Sequence, residues 1–131
     1  MSRSRTVRVT PITNLPALLM TWDHLVNQAD VTPAFEAILE ILEESEGQVY
    51  VVVDILNSPH FPMAETMARA LLGPFRHPRL EAWLIIGNNW MARSIEELLV
   101  KVTGRSNVFW FSSEAEALAH LRNQVRQTAA A

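Results

Sequence analysis

The run "QVYVVVD", Gln48 to Asp54, constrains the fold of this chain more than any other feature. Its β-branched residues are consecutive rather than alternating, so the strand they form leaves no face for solvent. A strand of that kind belongs inside a sheet covered on both sides, and such cover comes from helices laid over parallel strands. "LEAWLIIG", Leu80 to Gly87, is a second continuous apolar strand, and "NVFWF", Asn107 to Phe111, is a short third.

The segments between these strands read as helices. In "ADVTPAFEAILEILEESEG", Thr32 is placed as an N-cap, Pro33 as the first helical residue and Gly47 as the stop. Phe35, Ile38, Leu39 and Leu42 fall at i, i+3, i+4 and i+7, one buried stripe with acids opposite. A second helix is predicted from about Met63 to Leu72, with Met63, Met67, Ala70 and Leu71 inward and Gly73-Pro74 closing it. A third, "NWMARSIEELLVKVTG", presents Met91, Ile95, Leu98, Leu99 and Val102 and ends at Gly104. The last, "SSEAEALAHLRNQVRQ", opens on a capping box from Ser113 to Glu116 and buries Leu118, Leu121 and Val125. Ahead of all these, "TVRVTPI" and "PALLMTWD" flank the turn-like "TNLP" and predict a hairpin, which Pro11 and Pro16 place at a sheet margin.

The expected fold is therefore α/β: a single mixed, mostly parallel β-sheet with an N-terminal antiparallel hairpin and about four helices, in the order β-β-α-β-α-β-α-β-α. Crossovers should be right-handed, with helices on both faces. One domain spanning 1–131 accounts for the chain, with a frayed tail over 127–131. The composition, 49% hydrophobic and 19% charged, is that of a soluble globular protein. No apolar run approaches the ~20 residues that cross a bilayer, and no apolar segment follows the basic start to make a secretory signal, so a cytoplasmic location is expected. Without cysteine there is no thiol nucleophile or cysteine metal site. The net charge of −3 argues against a dedicated nucleic-acid binder.

This order of elements, with "VYVVVDILN", "HPRLEAWLIIGNN" and "VFWFSSEAEALAHL", resembles the STAS domain. The likeness is to its divergent SpoIIAA-like branch, the fold of anti-sigma-factor antagonists, sometimes grouped with Sec14-type lipid-binding domains. It covers nearly the whole chain as architecture and hydrophobic text. It implies a non-enzymatic regulatory domain that binds a protein partner, a kinase-like anti-sigma factor. In phosphorylatable members an Asp-Ser-Ser/Thr-Gly sequence opens the helix after the central strand. Counted from Asp54, it would fall near Pro62, Met63, Ala64 and Glu65, none of them a hydroxyl residue or glycine. The nearest hydroxyls are Ser58 and Thr66, so the usual phospho-switch is missing from its place.

The candidate site is the loop after the central strand. Asp54 stands where ligand sites collect in open α/β sheets, although a carboxylate there also serves to cap a local turn. Ser58 and His60 invite a nucleophile-base pairing. They lack a third orienting group and a G-x-S-x-G elbow, so no catalytic residue is assigned. The other histidines have no metal-ligand spacing, and the four glycines form no nucleotide-binding loop, so neither metal nor cofactor is expected. Phe61 and Met63 after one strand, and Asn89 and Trp90 after the next, should emerge on one rim. There they form either an apolar patch for a partner protein or a lipid-like ligand, or staples folded over the helix starts; self-association into a homodimer is expected through an apolar helix face or an edge strand. The alternative function is a binding module for a small apolar ligand or lipid, for which a dry cavity beneath that rim would speak. Trp22, Trp83 and Trp110 read as sheet-face packing.

Overall fold

The structure, a computed structural model, describes residues 6–57, 66, 68–69, 73–88 and 90–130. Five strands form one mixed sheet: β1 (Val7–Pro11), β2 (Ala17–Trp22), β3 (Val49–Asp54), β4 (Leu80–Ile86) and β5 (Val108–Phe111). Their order in the sheet is their order in the chain; β1 and β2 are antiparallel and every later pair is parallel. The hairpin turns through Asn14, whose positive φ of 65° is one that asparagine tolerates. Pro11 ends the edge strand β1, where its missing N–H costs no ladder bond.

Three helices accompany the sheet among the described residues: α1 (Val31–Glu44), α2 (Trp90–Thr103) and α3 (Glu114–Ala130). Each crossover carries the chain one strand along in the same direction, and right-handed crossovers taken that way land on one face. α1 and α2 accordingly pack on the same face, over Met20, Val51, Val53 and Trp83. With no further strand to reach, α3 crosses to the opposite face and sets Ala117 and Leu121 against Tyr50, Val52 and Leu84. Both surfaces of β3 are thus covered, and Val49 to Val53 are all buried, as the unbroken run of β-branched residues requires.

Several local expectations need correction. α1 begins two residues early, at Val31, because a 3-10 turn over Gln28–Asp30 leads into it. The buried Asp30, rather than Thr32, stands at the helix start, and its Oδ2 accepts from both Thr6 N and Thr6 Oγ1 at 2.8 Å. Pro33 then lies inside the first turn, where an amide N–H has no intrahelical acceptor to lose. α1 stops at Glu44 on an extended Ser45, ahead of Gly47. In α2 the buried residues are Ile95 and Leu99, with Ala92 packed beside them, while Leu98 and Val102 are exposed. Gly104 does end α2 in the left-handed conformation, at φ 74°, its N–H reaching Val100 O at 2.8 Å.

The capping box of α3 is present in altered form. Ser113 Oγ accepts from Glu116 N at 3.2 Å, while the Glu116 carboxylate reaches Ser112. The frayed tail expected from 127 is instead helical through Ala130. Apart from Thr66, Ala68 and Arg69, which are helical, the helix expected from Met63 to Leu72 lies outside the described residues.

Candidate functional site

Strand alternation decides which residues can meet. Val9, Met20, Val53, Ile85 and Trp110 are paired in register and form one apolar row across all five strands, on the face that carries α1 and α2. The next row, Arg8, Thr21, Asp54, Ile86 and Phe111, points to the other face. Asp54 is therefore turned away from the surface that the first row lines. Its Oδ1 accepts from Leu56 N at 3.1 Å, closing a turn over itself, which is a local structural role.

Met20, Val53, Ile85 and Trp110 of the first row floor a partly open, apolar cavity of about 90 Å³. Its walls come from the carboxyl ends of the strands, with Trp22 of β2, Val53 of β3 and Ile55 just beyond it, Ile85 of β4 and Trp110 of β5. Ala92, Ile95 and Glu96 in the first turns of α2 roof it, and Phe35, Phe75 and Trp83 close its inner end. The aromatic rings hold one another in place. Trp22 meets Phe35 edge-on, Phe35 is tilted against Trp83, and Trp83 stacks on Phe75, all with centroids 6.4 Å apart. Such pairs contribute about 0.5–1.5 kcal/mol each beyond area burial, so the inner wall is stiff.

Polar groups touch this space at few points. Trp110 Nε1 donates to Glu96 Oε1 at 2.9 Å, and Arg93 stacks over the Trp110 ring at 4.3 Å while its Nε reaches Asn88 Oδ1 at 3.1 Å. This chain of contacts fixes the start of α2 against the edge strand β5. Thr66 also lines the cavity and is buried. Shifted pKa values are found away from the cavity. Burial pushes the Tyr50 phenol above its ordinary value, against a hydrogen bond from Thr128 on α3 that pulls it down. The hydrogen bond that the Arg8 guanidinium donates to the Asp23 carboxylate holds its pKa above the ordinary arginine value. Among the described residues no three His, Asp or Glu side chains come together as a metal-holding group, and no helix is long and apolar enough to cross a membrane.

The rim itself has the expected common end. Asp54 pairs with Ile86, Ile55 N donates to Ile86 O at 3.1 Å, and a Cβ at Gly87 would stand 3.6 Å from Leu56 N. Trp90 is 71% exposed and Leu56 53% exposed, so Trp90 is not folded down as a staple. Ser58, His60, Phe61, Met63 and Asn89 lie outside the described residues.

Reading the sequence alone missed two things. Trp22, Trp83 and Trp110 do pack on the sheet, but they share one face and surround a space; the available signal was that each falls in a strand next to a helix-covered row. Arg105 was also overlooked. Its guanidinium donates to Phe75 O, His77 O and Leu80 O at 2.7–3.0 Å, pinning the 3-10 turn Pro74–Arg76 to the start of β4. That clamp holds Phe75 in the cavity wall. Comparison with protein-family models, curated proteins and solved structures returned no match to this chain.

Proposed function

We propose that the chain is a non-enzymatic binding domain of the STAS/SpoIIAA-like type whose working site is the apolar cavity under the strand ends, holding a small apolar ligand. The observation that carries this reading is the cavity's position and lining. It lies at the carboxyl ends of parallel strands, where open α/β sheets take ligands, and its walls are aromatic and aliphatic. A fully packed interior would have left only surface contact as a role. Catalysis finds little support there: Glu96 already accepts from Trp110, and Asp54 serves its own turn on the opposite face.

Xenon tests the reading, since it enters dry cavities and makes no specific bonds. Amide resonances of Val53, Ile55, Ile85, Ala92 and Ile95 should shift together on xenon pressurisation, while those facing α3 stay put. Absence of any shift around the cavity would sink the proposal.

A second reading, contact with another protein through the rim, is favoured by the exposure of Trp90 and Leu56 on neighbouring segments. The resemblance suggests a kinase-like anti-sigma factor, and a second copy of the chain would use the same surface. Trp90→Ser with Leu56→Ser should leave the melting temperature unchanged and abolish co-purification or dimerisation. Retention of both associations would dismiss the rim as a contact surface.

A further inference from the structure

Resting on the cavity reading, we infer that the ligand is a small neutral molecule carrying one hydrogen-bond acceptor, and that Trp83 Nε1–H is the group that engages it. Trp83 lines the cavity and is 5% exposed, and its indole nitrogen is buried with no hydrogen-bond partner among the described residues. A buried N–H left in that state is costly, and native proteins leave few of them. Trp110, in the same wall, shows the ordinary solution, because its Nε1–H donates to Glu96. Among the described residues the Trp83 donor has no such carboxylate or carbonyl. An oxygen or unprotonated nitrogen brought in by a ligand would complete it.

The same lining sets the ligand's charge. Among the described residues around the cavity, Glu96 is the only charged one. An anion would enter a poorly screened space beside a carboxylate, with no cation among the described lining residues, which selects against fatty-acid-like head groups. Volume sets the size. About 90 Å³ is less than the ~150 Å³ apolar cavity that takes benzene, so the buried portion is a single small ring or a short branched group. The class is therefore a small ketone, lactone, ether or similar neutral acceptor.

Three probes of similar size separate the possibilities: methylcyclopentane (hydrocarbon), cyclopentanone (neutral acceptor) and isobutyrate (anion). Affinities come from ligand-observed NMR titration, and the indole N–H resonances of the wild-type protein report the contact directly. Cyclopentanone should shift the Trp83 Nε1–H resonance and methylcyclopentane should not. Trp83→Phe should weaken cyclopentanone about tenfold more than it changes methylcyclopentane, the scale of one buried hydrogen bond. Equal losses for both probes, no indole shift with the ketone, or isobutyrate binding as tightly as cyclopentanone would overturn the inference while leaving an apolar site in place. Failure of xenon and all three probes to bind would remove the cavity reading as well. The indole shift is read on the unaltered protein, so an unstable Trp83→Phe variant still leaves a deciding measurement.

Discussion

Filling the cavity should stabilise the protein and disable it in the same step. Ala92 lies in the first turns of α2 and forms part of the roof. An empty apolar space costs roughly 24 cal/mol per Å³, so a space of about 90 Å³ amounts to about 2 kcal/mol. Ala92→Leu adds three carbons, whose burial is worth about 0.8 kcal/mol each. Ordering the new side chain returns about 0.5–1 kcal/mol, and helix propensity hardly changes. The net expectation is a gain of about 1.5 kcal/mol, or a melting temperature higher by about 5 °C for a chain of this size. Urea denaturation with an unchanged m-value measures the gain, and the xenon titration on the same variant should show binding lost. Destabilisation by about 1 kcal/mol or more would mean that leucine meets atoms rather than space, and the cavity argument would fail. A stabilised variant that still binds would place the ligand somewhere else.

Asp30→Ala removes the carboxylate that takes two 2.8 Å hydrogen bonds from Thr6, and should cost about 3 kcal/mol in chemical denaturation; a loss below about 1 kcal/mol would show that β1 and α1 are not joined there. Asp30→Asn keeps an accepting oxygen and should recover part of the loss, though not the charge at the helix start. Tyr50 is the chain's single tyrosine, so phenolate absorbance reports it alone. Its pKa is raised in the folded state, chiefly by burial, so its contribution is complete below the unfolded value of about 10. That contribution is lost as pH climbs through the folded value. Wild type should therefore lose stability above about pH 10 more steeply than Tyr50→Phe, and parallel alkaline curves would refute the assignment. Gly87→Ala forces a side chain into φ 135° and sets its Cβ 3.1 Å from Ile55 Cγ1. A loss of about 1–3 kcal/mol is expected in thermal melts, and a neutral outcome would mean that the rim backbone yields freely.

The strands were legible because their chemistry is local. Val51, Val52 and Val53 declare a strand buried on both sides without help from the rest of the chain. Pro11 likewise marked the edge on its own. Helix limits were less legible where capping depends on distant partners: Asp30 is held by Thr6, 24 residues away, so nothing near Pro33 announces the true start. The burial of α2 was misjudged for a related reason. Periodicity groups Leu98 and Val102 with Ile95 and Leu99, but which side of a broad apolar arc meets the sheet is set by the neighbouring elements. For the site, the sequence left Asp54 open between a ligand position and a turn cap, and the structure shows the cap, with both partners within two residues. The cavity could not be read in this way. Its walls join residues from Met20 to Trp110 through sheet register, and register appears only once the strands are paired.

The sheet also acts as a partition. The cavity and its roof occupy one side, and α3 alone covers the described strands on the other, with Arg122, Asn123 and Arg126 facing outward. A fluorophore, a biotin or a surface tether attached at those outward positions would sit a full sheet's thickness from the cavity. Immobilised assays and single-molecule labelling can use that side without touching the residues that line the cavity.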